Sequence, residues 1–483
     1  PSPQNPRYGA RLPLLHQLHF PIYLQRKVRL RANKACLSGL ESKKIFMVQN
    51  TPSKTPPTQL AQAFFAPLEA AYLHSLKPHD CPVISDLDHA RLCIHRCLSE
   101  STSGHGFLQY HADQGGALIT PDHFFKSLSS PRRSANLASI NHNLRSIMAT
   151  HIPDPFLAYP ELEKYHIYAG DGHYHHAAAF DPKPNKKQHP DTTEKTQPTG
   201  HFFRLDLRSH HIGHLDMSTP KDGKKSEHDI TLIKRLAIQQ LRNTAPKGHK
   251  VIYAWDRACI DYHLWDKLKR QSGIYFITLQ KENSNLKECT VNRIDPSNER
   301  NQGIVSDHYC TSASTGQMLR RIIYIDPRDG TTYRYLTSEM QLPAHLIVII
   351  YKQRWDIEKT FHQFKSKLFE RKSWSSSASG KASQAHAECL THNLMLLMEW
   401  KIRNNHGIED QQEQRKSQGR QKTKVNRGGY LMKQISNHIN QAIQRASQRT
   451  LRFIRWLRNH IYQPLDWSHL IARLTQMWMI KSP

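Results

Sequence analysis

The chain has 483 residues, and its 68 Lys and Arg against 40 Asp and Glu give a net charge of +28. That length allows about two to four domains with a sizeable core, while eight cysteines without a Cys-x2-Cys pair exclude a disulfide framework and read as reduced thiols. No run approaches the roughly 18 apolar residues of a membrane-spanning helix, and a cationic surplus of this size points to a polyanion, most often nucleic acid.

Residues 1–58 read as an irregular basic N-terminal segment, with scattered prolines and a patch made by Arg26, Lys27, Arg29, Arg31 and Lys34. It lacks an apolar signal core, so an intracellular, cytoplasmic location is expected. Helical periodicity then appears at 59–76 and 86–98, separated by Pro and Asp breakers. Residues 59–150 are therefore expected to form a helical N-terminal domain, a candidate for DNA binding. Within it Arg132, Arg133 and Arg145 either touch DNA backbone or line a solvated face. Cys81, His89, Cys93, His95 and Cys97 are close in sequence, but Cys93-x3-Cys97 reads as an ordinary helix turn more readily than as zinc ligands.

Strand patterns begin after Pro160. Residues 165–169 run into Gly170, Asp171 and Gly172; 202–207 and 212–217 read as two further strands around a polar turn. A helix is predicted over 229–241 with Ser226 as its cap, then a strand over 250–255 that leads directly into Asp256, a helix over 260–269 and a strand over 274–279. The order β-β-β-α-β-α-β is that of an RNase-H-like layer, a mixed sheet with flanking helices. It is placed at 151–282 and 344–403. Between them, 283–343 contains short β runs, two of them joined by the turn Pro327-Arg328-Asp329-Gly330, and reads as an all-β insertion. Residues 404–429 form a basic linker, and 430–483 return to amphipathic helices bearing Trp456, Trp467 and Trp478, a candidate dimerisation element.

The stretch 350–365 reads IYKQRWDIEKTFHQFK. At about 100° per residue, Tyr351, Arg354, Glu358 and Lys365 fall within roughly a 60° arc, beside an apolar stripe of Ile350, Ile357, Phe361, Phe364 and Leu368. One helix face therefore offers a carboxylate flanked by cations. Asp171 and Asp256, at two strand ends, are the carboxylates that a packed helix could bring to Glu358, although 85 and then 102 residues separate them. Asp206 is the rival for the first position, but mid-strand between Arg204 and Arg208 it suits a solvent-face charge pair; Asp181 and Asp261 also lie close by in sequence. His173, His175 and His176 suit phosphate contact or local structure better than magnesium.

The spacing Tyr-x2-Arg-x3-Glu-x6-Lys, matched at 351, 354, 358 and 365, resembles the signature of the insertion-sequence-4 family of DDE transposases; DGHYHHAA from 171 and DRACIDYHLW from 256 resemble its other two acidic motifs. The likeness spans about residues 120–405. It implies a DNA transposase of a prokaryotic, nucleoid-associated kind that binds terminal inverted repeats and performs metal-dependent cleavage and strand transfer by cut and paste. Asp171, Asp256 and Glu358 are then the catalytic metal ligands for two Mg²⁺ ions, with Mn²⁺ able to substitute, because phosphodiester displacement needs both attacking and leaving oxygens stabilised. Tyr351, Arg354 and Lys365 are implied to grip DNA, Arg by paired hydrogen bonds and Lys as a point charge. Double-stranded transposon ends and target DNA are the implied partners, in a synaptic complex of a homodimer and away from membranes. The family's insertion stacks a tryptophan on a flipped base during hairpin formation; 283–343 has none, leaving Tyr309, Tyr324, Tyr333 or Tyr335, with Tyr333 and Tyr335 on one strand face. The alternatives are a transposase-derived DNA-binding protein without catalysis and another RNase-H-like nuclease.

Overall fold

The structure is a computed structural model that describes residues 58–73, 84–101, 103–181, 198–218, 227–327, 329–368, 372–408 and 451–479. The expectations for 1–57, Cys81, the Ser226 cap and 409–450, with most of the basic linker, lie outside these residues.

Helices come first: α1 (Gln59–Leu73), α2 (Asp86–Leu98), α3 (Gly104–Asp113), α4 (Pro121–Leu128) and α5 (Pro131–His151). Their beginnings follow local chemistry. Ser85, Ser103, Thr120 and Ser130 each accept the backbone N–H three residues on, and Pro121 and Pro131 start their helices where the missing N–H costs nothing. The arginines of α5 are paired within the chain rather than left free on a solvated face. Arg132 makes a two-pronged bond to Asp86 at 2.6 and 2.7 Å, buried Arg133 donates to the Ile84 carbonyl at 2.8 Å, and Arg145 reaches Asp206 at 3.2 Å. These charges hold α5 to α2 and to the sheet. Cys93 and Cys97 are buried free thiols of α2, with His89 Nε2 3.6 Å from Cys93 Sγ.

The chain then enters β1 (Tyr165–His175), β2 (Thr199–Asp206) and β3 (Ile212–Met217). The helix expected over 229–241 is two short ones, α6 (Asp229–Arg235) and α7 (Ile238–Arg242), because Leu236 leaves the helical region at ψ 135°. After them come β4 (Lys250–Trp255), α8 (Tyr262–Ser272) and β5 (Ile274–Leu279), and then β6 (Leu286–Val291), β7 (Ile304–Ser312), β8 (Met318–Ile325) and β9 (Thr332–Thr337). The nine strands among the described residues belong to one mixed sheet in the order β3-β2-β1-β4-β5-β9-β8-β7-β6. β2 runs antiparallel to β1 and β3, whereas β1-β4 and β4-β5 are parallel, an arrangement that needs the long crossovers the chain makes before β4 and β5. The late β runs extend this sheet rather than forming a separate layer, since β9 pairs with β5 antiparallel.

A buried ion pair braces that extension. Arg320 on β8 donates to both oxygens of Asp307 on β7, at 2.8 and 2.7 Å, and to the Leu342 carbonyl at 2.6 Å; both side chains are about nineteen-twentieths buried. Removing one partner strands the other charge, so Asp307→Ala should cost about 3–5 kcal/mol. Denaturant melts of the full chain check this, and a loss under about 1 kcal/mol would mean that the extension contributes little to the cooperative unit.

Three helical stretches follow: α9 (Ala344–Gln353), α10 (Trp355–Lys367) and α11 (Ala378–His406). The apolar run of α11 is almost wholly buried, packed between β3 on one side and α5 and α2 on the other. The helical N-terminal region and the sheet thus share one core. The last described helices, α12 (Leu451–His460) and α13 (Trp467–Met479), close onto α1: Thr58 donates to the Ile461 carbonyl at 2.7 Å and the Trp467 N–H to Gln59 at 2.8 Å. Trp456 and Trp478 are buried within this chain. These two indole rings are spent on the chain's own core, so a dimer contact made by these helices would have to use other residues.

Candidate active site

Strand register brings the first two carboxylates together. β1 and β4 pair in parallel from Tyr165 opposite Lys250 to Gly170 opposite Trp255, so Asp171 and Asp256 are next in step on each strand. Neighbours in register point to the same face. The glycines on either side of Asp171 make room on the other face: a Cβ at Gly170 would strike the Trp255 ring, and one at Gly172 would come within 2.5 Å of the Asp229 carboxylate. Asp171 itself is held by the Gly172 N–H, which donates to Oδ1 at 2.9 Å.

Glu358 comes from α10, which packs over β1 and β2. The sequence predicts one helix across 350–365, but the chain tightens at Arg354. The Arg354 N–H bonds the Tyr351 carbonyl three residues back, at 3.0 Å, and Ile357 does the same to Arg354 at 3.2 Å. Such a 3₁₀ turn within a helical run divides α9 from α10 and re-aims their faces. Tyr351 consequently faces inward, 4% exposed, with the Tyr335 ring 5.4 Å from its own, so it is not on the exposed rim. Arg354 is equally buried and bridges the two elements that carry acids. Its Nη2 donates to Glu358 Oε1 at 2.8 Å and its Nη1 to Asp171 Oδ2 at 3.4 Å. The guanidinium lies 5.6 Å from the Tyr351 ring centre and 5.3 Å from that of Trp355. Lys365, two turns beyond Glu358, is exposed.

Burial pushes the Asp171 carboxyl up to about 7, with Glu358 and Asp229 adding to the effect, while Arg354 and the Gly172 N–H oppose it. Asp229, in the first turn of α6, is a fourth acid at this end of the sheet. Burial and then the Asp256 charge raise its carboxyl as well. The sequence reading missed it, although Gly172 was its signal, since a glycine inside a strand marks a close approach. Among the described residues no three His, Cys, Asp or Glu side chains are set closely enough to hold a metal ion. The donors still suit magnesium in kind, being hard carboxylate oxygens from separate elements, and a guanidinium across two of them stands where cationic charge is called for.

The rival acids are occupied elsewhere. Asp206 is buried, not on a solvent face: it pairs with Arg145 and accepts the N–H of Arg208 at 2.9 Å, closing the turn to β3. Asp181 pairs with Lys381 at 2.9 Å, and Asp261 caps α8 while pairing with Lys234 at 2.6 Å. His173 and His175 lie in the core, not against phosphate. The first stacks on Phe361 at 4.7 Å and the second sits 3.1 Å from Glu388, while the backbone of exposed His176 accepts from Ser373. Tyr324 and Tyr335 are buried, which removes them as platforms for an unstacked base; Tyr309 and Tyr333 are half-buried.

Residues 175–394 match the family model described as "Transposase DDE domain", a span that begins four residues after Asp171 and contains Asp256 and Glu358. A protein of Sinorhizobium fredii (strain NBRC 101917 / NGR234) named "Putative transposase y4zB" is 30% identical over 121 residues, 24% of this chain and 33% of that protein. The chain thus spans about a third of the length of the curated relative it matches. Over residues 175–394, then, the chain is similar to the transposase DDE domain.

Proposed function

We infer that the chain is a DNA transposase of the insertion-sequence-4 kind, which binds the terminal inverted repeats of its element, cuts them free and joins their 3′ ends to target DNA. The observation that carries this reading is the meeting of Asp171, Arg354 and Glu358 in one ion network, with Asp256 next in register to Asp171. The β-β-β-α-β-α-β order and the mixed sense of β1 to β5 support an RNase-H-like core, and 59–150, 283–343 and 430–483 are its helical, β-sheet and C-terminal additions.

In this reading Asp171, Asp256 and Glu358 hold two Mg²⁺ ions. When bound, such ions supply activation of the attacking water or 3′-hydroxyl and stabilisation of the leaving oxygen. Arg354 presents a planar fork suited to a phosphate, and Lys365 a point charge further along the same helix. Tyr351 supports the guanidinium from below instead of reaching the DNA itself. The synaptic complex is assigned to a homodimer, with its contact outside Trp456 and Trp478.

Asp171→Asn, Asp256→Asn and Glu358→Gln should each reduce cleavage of a labelled duplex spanning the element boundary by roughly 10²–10³-fold or more, while binding stays near normal. Full cleavage by any of the three would remove that residue from the ligand set. Binding without cleavage by the unaltered chain in Mg²⁺ or Mn²⁺ would favour the non-catalytic DNA-binding reading.

A further inference from the structure

Two of the acids that would hold a divalent ion already hold a cation. Arg354 touches Glu358 and Asp171 at 2.8 and 3.4 Å, lies against two aromatic rings, and is 4% exposed. A guanidinium does not give up its proton in a protein, so this charge is permanent. A metal ion on the same oxygens would sit against it, in a water-poor place where like charges repel strongly. The two cations therefore compete for Asp171 and Glu358.

The surroundings let the guanidinium leave. Arg354 stands at the 3₁₀ turn between α9 and α10, the kind of irregularity that marks a hinge. Its Nε is buried with no hydrogen-bond partner, so one edge of the fork is unfilled. Trp355, over which the fork partly lies, is 55% exposed, so the guanidinium lies against a side chain that borders solvent. A phosphate oxygen arriving there would satisfy the idle donor and offer the anion that the carboxylates now supply.

We propose that Arg354 is a counter-ion latch: in the DNA-free chain it neutralises Asp171 and Glu358 and keeps divalent ions out, and a DNA phosphate that draws it away opens those carboxylates to metal. The proposal rests on the transposase reading and adds its regulation. By linkage, DNA must then raise metal affinity by the factor by which metal raises DNA affinity. A chain without seated DNA would remain unloaded and would not nick at random.

The test uses the full chain without DNA and Mn²⁺ alone, followed by electron paramagnetic resonance of the free ion. Arg354→Gln should bind Mn²⁺ at least about tenfold more tightly than the unaltered chain, since it removes the competing charge, whereas Arg354→Lys, which keeps a charge, should bind weakly. The same Gln variant should melt lower than the unaltered chain in chelator and recover when Mn²⁺ is added, because the metal takes over the role of the guanidinium. Binding by Arg354→Gln no tighter than that of the unaltered chain, or a melting loss that Mn²⁺ does not restore, overturns the latch. Asp171→Asn separates the two readings. If it abolishes whatever Mn²⁺ binding the unaltered chain shows while Arg354→Gln gains nothing, the latch fails and the metal site stands; if, added to Arg354→Gln, it leaves the Mn²⁺ binding gained by that variant unchanged, the active-site reading fails and the latch with it.

Discussion

Acidified from pH 7 to pH 5, the protein should lose most or all of its folding stability. His89, His95, His111, His173, His201, His211, His214 and His386 are held below their ordinary value by burial first of all, His89, His173 and His211 at about 3 and His111 and His386 at about 4. In the unfolded chain each takes up a proton near its ordinary value of 6.5. Between there and the folded value the unfolded state binds more protons. Stability is therefore complete above about pH 6.5 and falls as pH drops, by up to about 1.4 kcal/mol per pH unit for each histidine. If only half of the eight respond fully, the slope is still more than about 5 kcal/mol per unit, against a whole-domain stability of about 5–15 kcal/mol. Asp171 has the opposite sign, because its raised carboxyl holds a proton in the folded chain, but it is one group among many. Thermal melts followed by circular dichroism at pH 8, 7, 6 and 5 test this. A midpoint that stays within a few degrees from pH 8 to pH 5 would show that these histidines stay solvated.

DNA binding should fall by roughly 10³–10⁵ between 50 and 200 mM salt, the behaviour of a protein that neutralises about 6–10 phosphates and releases their counter-ions. The net charge of +28 supplies enough cations, although the structure shows that many arginines do not belong to that supply. Arg132, Arg133, Arg145 and Arg320 are paired inside the fold, and Arg208 is paired with Asp154. Exposed Lys365 is different. Lys365→Ala should weaken binding about equally for all sequences and reduce the salt slope by about one. Fluorescence anisotropy with a labelled duplex across a salt series measures both, and a flat response would exclude phosphate contact as the source of affinity.

Part of the site was legible along the chain because its chemistry is local. Asp256 could be placed at a strand end from an apolar run that stops at an acid, and Arg354 and Glu358 share a face because residues four apart on a helix do so. Asp171, expected at the end of the first strand, instead lies inside β1 opposite Phe203, because pairing with β2 carries the strand on to His175. The serine and threonine caps of α2 to α5 were written in the same way, each by a side chain that satisfies an N–H three residues on. The four-residue spacing carried the resemblance before any contact was known. What it could not convey was which side of that helix is spent on the core.

Burial and pairing were decided only in three dimensions, because they depend on partners far off in sequence. The arginines of α5 looked free until Asp86 and Asp206 came beside them, 46 and 61 residues away. Tyr351 and Tyr335 looked like DNA contacts until the sheet extension and α9 enclosed both. That Trp456 and Trp478 are buried was decided by the packing of α12 and α13, which close onto α1 about 400 residues earlier in the chain. The bridge from Arg354 to Asp171 spans 183 residues. Sequence thus determined which groups could do chemistry and roughly where each element would run. The tertiary structure decided which charges remain available for it, since a charged side chain is left for DNA or metal only when no buried partner has already claimed it.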